Sequence, residues 1–292
     1  MNELRELKRS DPDWPDKLRP YAGMPQVLYV RGDLPDPTKK SVAIVGARAC
    51  SHYGKNAALL FGSALAERGV QVISGLALGI DACAHRGALD AGGRTFAVLG
   101  CGADRCYPPS NEDLYARILE SGGILSEYDP GTPALPHHFP ARNRIISALA
   151  DIVLVIEARK KSGSLITAAH ALEQGKTVFA LPGRATDKLS EGCNLLLADG
   201  AGVAWGPEAI LQELGLDATK KEGASPSKKL PDPWRSDPVY QAIWSALTSD
   251  PKSRDQLIAE TGLPFAKLSE VLIRLCLNGF AEELPGQTYI RA

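Results

Sequence analysis

The feature that most constrains this chain is a pair of apolar, β-branched runs, Ser41-Val-Ala-Ile-Val45 and Ile152 to Ile156, neither showing polar alternation. Such runs suit parallel strands that are covered on both faces. The second run ends in Glu157, and charged residues lead into Ser162-Gly163-Ser164, which opens a helix near Leu165. Gly175 is placed to cap that helix, and Val178 to Leu181 returns as the next strand. The first run behaves alike. Gly46-Ala47-Arg48 precedes a helix from about Tyr53 to Arg68, Gly69 ends it, and Val70 to Ile73 forms a strand. Repeated strand, glycine turn, helix and strand predict an α/β, doubly wound, mainly parallel Rossmann-like sheet. Thr95 to Leu99 and Ile124 to Glu127 add further strands, with a helix from Glu112 to Glu120 between them.

In an open parallel sheet, ligands bind outside the carboxyl ends of the strands. Five turns fall at that edge: Gly46 to Arg48, Ser74 to Gly79, Gly100 to Gly102, Ser162 to Ser164, and Gly183. They are expected to line one groove. The Ser-Gly-Ser turn leaves backbone N–H groups free at a helix N-terminus, which attracts an anion such as phosphate. Just upstream, Phe139 and Arg142-Asn143-Arg144 offer a ring, two cations and an amide. Phosphate donors, guanidinium groups and a ring in one segment indicate a nucleic-acid or nucleotide site. Gly46 lacks the GxGxxG spacing, so a nicotinamide-type cofactor is not expected.

Several residues admit two readings. Gly75 and Gly79 allow close approach either by a ligand or by a packed helix. Asp81 and His85 share a helix face, as a catalytic dyad or, the favoured reading, as a capping acid and a structural histidine. Phe139 is a stacking ring or a core residue. One arginine of the Arg142-Asn143-Arg144 triplet is either a phosphate ligand or an ion-pair partner of Glu127 or Glu157.

Thirty-three basic residues against 34 acidic ones give no global attraction for a polyanion, so any such site must be a local patch. The six cysteines are scattered and form no CxxC motif, which suggests free thiols in a reducing cytoplasm. The five histidines show no metal-ligand spacing. Neither a signal peptide nor an apolar run near the roughly 20 residues of a membrane span is present, so a soluble cytoplasmic protein is expected.

Four regions are expected along the chain: an extended N-terminal arm over 1–37 and a Rossmann-like domain over 38–215, then a linker over 216–234 and a winged-helix domain over 235–292. The arm holds one short strand at Val27 to Val30, and the linker is rich in Lys, Ser, Pro and Gly. Beyond it, helices are predicted at Val239 to Thr248, from Ser253 to near Gly262, and from Leu263-Pro264 onward, followed by a hairpin from Phe280 to Ile290. Glu282-Glu283 in the wing argues for contact with protein rather than reading of duplex DNA.

Taken in order, VAIVGAR, SGLALGIDACAH, FPARNRIISALAD, VIEARKKSGSLITAAHALEQGKTVFALPG and EGCN resemble the DNA-processing protein A (DprA/Smf) family. The match spans about Trp14 to Trp205, and the tail resembles the winged-helix domain often attached to that family. The resemblance implies a non-enzymatic protein that binds single-stranded DNA without a cofactor. It further implies protection of incoming DNA during natural transformation, loading of a RecA-type recombinase, and homodimers formed through the Rossmann-like domain. Carried over by position, Arg48 contacts phosphate and Phe139 stacks on a base. Arg142, Asn143 and Arg144 match the family's RNR motif, and Ser162, Gly163 and Ser164 match the turn that meets the DNA backbone. Gly46, Gly75, Gly79, Thr167, Gly183 and Asn194 complete the expected DNA-binding set. Two departures are expected to matter. There is no room before Trp14 for the small helical domain that opens many relatives, and Tyr107-Pro108-Pro109 holds no lysine where relatives often carry one.

Three rival readings remain. A lysine-decarboxylase-like nucleoside monophosphate phosphoribohydrolase needs a PGGxGTxxE motif. Aligning Ser162-Gly163-Ser164 with it puts Thr167 on the threonine but His170 on the glutamate, which leaves the general acid/base role vacant. A winged-helix transcription factor conflicts with the acidic wing and the large first domain. Nucleotide sensing by the main domain is the third.

Overall fold

The computed structural model describes residues 3–216, 230–248, 250–284 and 286–291. Contacts divide the chain into two units, 1–221 and 222–292.

In the first unit the strands are β1 (Leu4–Lys8), β2 (Val27–Gly32), β3 (Ser41–Val45), β4 (Gln71–Ser74), β5 (Thr95–Leu99), β6 (Gly123–Ser126), β7 (Ile152–Val155), β8 (Thr177–Ala180) and β9 (Gly202–Val203). Between them run α1 (His52–Ala66), α2 (Ile80–Asp90), α3 (Glu112–Ser121), α4 (His138–Leu149), α5 (Gly163–Glu173), α6 (Glu191–Ala198) and α7 (Pro207–Glu213). The sheet order is β1-β2-β6-β5-β4-β3-β7-β8-β9, parallel from β6 to β9, with β1 and β2 joined antiparallel at one edge. Strand order reverses between β3 and β7, which pair in parallel register, Val42 opposite Ile152 and Val45 opposite Val155. That switch point is where a doubly wound sheet opens a crevice at its carboxyl edge.

Period-2 geometry explains the uninterrupted apolar runs. Val42, Ile44, Ile152 and Leu154 face the core packed with α1, α2 and α7, which holds Phe61, Leu65, Ile80 and Ile210. Ala43, Val45, Val153 and Val155 face the opposite core with Ile145, Leu149 and Ala168 of α4 and α5. Each face must be greasy because each carries a helical layer.

Of the region expected as an extended arm over 1–37, residues 3–37 are described, and they join the main sheet rather than standing apart from it. β1 and β2 extend the main sheet, and Trp14, Leu18, Leu28 and Val30 are buried in its core. β1 hid in the sequence because it is an edge strand with only Leu7 buried, so its composition looks charged. α4 begins at His138 and α6 at Glu191, so the Arg142-Asn143-Arg144 triplet lies on a helix. Pro140 lies in the first turn of α4, which tolerates proline because its N–H needs no intrahelical partner.

Of the expected linker, residues 217–229 lie outside the described ones. Leu230 is buried in the core of the second unit, and α8 (Asp232–Arg235) follows it. That unit then builds α9 (Pro238–Ala246), β10 (Lys252–Ser253), α10 (Arg254–Thr261), α11 (Phe265–Leu277), β11 (Ala281–Leu284) and β12 (Thr288–Arg291). Ser253 and Gln256 form a capping box, and Gly262 closes α10 in the left-handed region. Leu268, Val271, Leu272 and Leu275 of α11 pack on Ile243 and Leu257. β11 and β12 form the hairpin, and β10 adds a third strand that the sequence reading lacked.

Candidate nucleic-acid interface

At the switch point lies a cavity of about 500 Å³, lined among others by Gly46, Arg48, Asp81, Phe139, Arg142, Asn143, Ser162, Gly163, Ser164 and Thr167. Helical spacing accounts for the contribution of α4. Phe139, Arg142, Asn143 and Ile146 recur at i, i+3, i+4 and i+7 and so share the face turned to the cavity. Arg144 is two residues beyond Arg142, about 200° around the helix. It makes a bidentate ion pair with Glu127, at 2.6 and 3.2 Å, and does not line the cavity. Of the two arginines, Arg144 is therefore the ion-pair partner.

Arg142 is 4 % exposed. Its guanidinium donates to the carbonyls of Gly75 (3.0 Å) and Val98, tying α4 to the ends of β4 and β5. Burial brings its pKa down to about 10, against the opposing pull of Asp81. Asp81 accepts the amides of Gly75 (3.1 Å) and Ala77 (3.4 Å). Burial pushes its carboxyl up, and Arg142 and those amides counter the push. His85 bonds Thr95 Oγ1 at 2.7 Å in the core, and burial, reinforced by Arg142 and Arg86, lowers its pKa to about 3. Asp81 is thus a buried acid holding the turn before α2, and His85 is structural.

Arg48 is exposed at the cavity, and its guanidinium carbon sits 4.9 Å from the centroid of Phe139. Among the described residues it makes no ion pair, which leaves its charge available to an anion. Its turn is fixed from behind. Glu157, 3 % exposed, accepts from Ser51 N (2.9 Å) and Ser51 Oγ (2.5 Å), and Ser51 caps α1. Sequence reasoning gave Glu157 no such role, because its partner lies 106 residues away. On the other side, Gly79 has φ +77°, and a Cβ there would run into the carbonyls of Ala47 and Arg48.

Ser162 caps α5, accepting from Ser164 N and sharing a 2.8 Å hydrogen bond with Ser164 Oγ. Asn143 Nδ2 donates to Gly163 O at 3.2 Å, which joins α4 to this turn. No atom lies within 4 Å of a Cβ built on Gly163, so the N-terminus of α5 is open to a close approach. Thr167 is 1 % exposed at the back wall.

Four expected site residues lie outside this lining besides Arg144's removal to its ion pair: Gly75, Gly79, Gly183 and Asn194 do not face the main cavity. Gly75 packs beneath Arg142, and a Cβ on it would approach Asp81 Oδ2 to 2.8 Å. Asn194 brackets Gly183 through both its amide N–H (3.3 Å) and its carbonyl (3.1 Å), which closes the turn onto α6. Asp81 is the one carboxylate among the described lining residues, and it is already engaged. His170, at the position where the hydrolase motif needs glutamate, bonds Glu173 at 3.3 Å and is not in the lining. No group of His, Cys, Asp and Glu suited to a metal ion occurs among the described residues.

Residues 6–215 match the family model of the DNA recombination-mediator protein A, and residues 225–287 match the DprA winged helix domain. Protein Smf of Escherichia coli is 39% identical over 288 residues, covering 95% of this chain and 75% of that protein. DNA processing protein DprA of Streptococcus pneumoniae is 43% identical over 203 residues, covering 70% of this chain and 72% of that protein. A solved structure of DNA processing protein A from Helicobacter pylori, described for its single-stranded DNA binding mode, superposes with a TM-score of 0.65 at 31% identity. It covers 73% of this chain and 98% of that one. With a Rossmann-like sheet matched from β1 to α7 and a winged helix after it, the chain belongs to the DNA recombination-mediator protein A (DprA/Smf) family.

Proposed function

We propose that this protein binds single-stranded DNA in the switch-point groove, without chemistry, and delivers it to a RecA-type recombinase during DNA processing in natural transformation. The observation that carries this reading is the open cavity in which Arg48, without an ion pair among the described residues, the ring of Phe139 and the N-terminus of α5 converge. A sequence-tolerant single-strand site needs cationic backbone contacts and aromatic surface for bases, and this groove offers both. In this reading Arg48 and the Ser162-Gly163-Ser164 turn meet phosphates, and Phe139 supplies aromatic floor. Arg142 supports the floor from inside and adds positive potential. The single-strand binding described for the Helicobacter pylori relative supports the choice of ligand. Homodimers through the Rossmann-like domain and the recombinase as partner follow from the family resemblance. A cytoplasmic location fits both that partner and the six free cysteines; no described helix is long and apolar enough to cross a membrane.

The test is fluorescence anisotropy of a labelled single-stranded oligonucleotide against duplex and mononucleotide competitors. Competition by single strand alone supports the reading. Competition by a mononucleotide at equal base concentration would replace it with nucleotide sensing.

A further inference from the structure

The aromatic surface of the groove is larger than Phe139. Tyr107, on the loop between β5 and α3, lies with its ring centroid 5.5 Å from that of Phe139 at an interplanar angle of 35°. It lines the main cavity and also a side chamber of about 60 Å³ that it shares with Leu78, Pro108 and Arg48. The two rings differ in what already covers them. Phe139 is half-buried and carries Arg48 at 4.9 Å, with Arg142 at 6.0 Å. The backbone of Gly100 also closes on it, since a Cβ there would stand 3.1 Å from Phe139 Cδ1. Tyr107 is 41% exposed and has no hydrogen bond from its hydroxyl among the described residues. It is the more open ring, held beside the cation that meets the backbone.

We propose that Tyr107 is a second base-stacking residue of the groove, taking a nucleobase of the bound strand on its open face. This rests on the single-strand reading. A tyrosine suits the task because it presents a large rigid face and loses little rotamer freedom on binding. Every base has a π-face, so the contact adds affinity without sequence preference.

The experiment compares oligothymidylate with an abasic sugar–phosphate oligomer of equal length, binding to the full chain, to Tyr107→Ala and to Tyr107→Phe. The wild type is expected to favour the base-bearing oligomer. Tyr107→Ala is expected to lower affinity for it by roughly 5- to 150-fold, the range of one base–aromatic stack, while leaving the abasic oligomer unchanged. Tyr107→Phe keeps the ring and retains wild-type preference. Undiminished preference in Tyr107→Ala overturns the proposal, as does an equal loss for both oligomers, which would mark a general disturbance of the groove. Failure of the wild type to bind either oligomer instead overturns the single-strand reading itself.

Discussion

Arg48 and Phe139 come from opposite sides of the switch point, one after β3 and one from the first turn of α4, and meet with 4.9 Å between guanidinium carbon and ring centroid. The contact pre-positions a cation that has no acidic partner among the described residues. Phe139→Leu keeps apolar volume but removes the π-face. It should lower stability by about 0.5–1 kcal/mol, the size of an exposed cation–π contact, and weaken strand binding as Arg48 loses its rest position. Urea denaturation and anisotropy measure the two effects separately.

Arg142 and Arg144 should separate cleanly. Arg142→Ala leaves Asp81 buried without its counter-charge and strips the carbonyls of Gly75 and Val98 of their donor. It should destabilise the fold by about 2–4 kcal/mol, chiefly because two buried carbonyls lose their donor. Arg144→Ala breaks a half-buried pair with Glu127 and should cost about 1 kcal/mol, with strand affinity nearly intact. Equal losses of affinity in the two variants would contradict the placement of Arg144.

Gly79 and Gly69 both have positive φ, at +77° and +71°, but Gly79, with ψ −124°, lies outside the left-handed helical well and is the more strained site for a side chain. Gly69→Ala meets open space and should cost only the backbone strain, about 1 kcal/mol. Gly79→Ala drives a methyl into the carbonyls of Ala47 and Arg48, so it should cost more and displace the Arg48 turn. A binding defect confined to Gly79→Ala is the expected result of comparing both by denaturation and anisotropy.

His85 makes stability depend on acid. Its folded pKa, near 3, lies below the ordinary 6.5, so the unfolded chain binds this proton first as pH falls. The contribution is present above the ordinary value and is lost progressively as pH drops toward the folded one. Each pH unit inside that window should remove about 1.4 kcal/mol through this group. His85→Gln, followed by urea titration across the window, should show a slope shallower by about one proton.

Much of the first unit was legible because strand and helix leave different periods in the sequence. The runs at 41–45 and 152–156 had to be two-sided strands, and the glycine turns after them had to gather at one edge. Three things were not legible, each for a physical reason. The edge strand β1 buries one residue and so carries no apolar signature. The fates of Arg142 and Arg144 depended on where α4 starts, since a helix, unlike a loop, sends them to opposite sides. The bond of Glu157 to Ser51 joins residues that only the completed sheet brings together. Gly183 and Asn194 marked a turn at the expected edge, but their mutual amide pairing spends them on closing it.

The central claim is that the groove holds a strand through phosphate contacts led by Arg48. Its most direct test is the slope of log affinity against log salt for an oligothymidylate, in the wild type and in Arg48→Ala. Released counterions give a negative slope, and removal of one phosphate contact on a single strand should make it shallower by about 0.7, with all sequences weakened alike. Affinity independent of salt, or an unchanged slope in Arg48→Ala, would contradict the account.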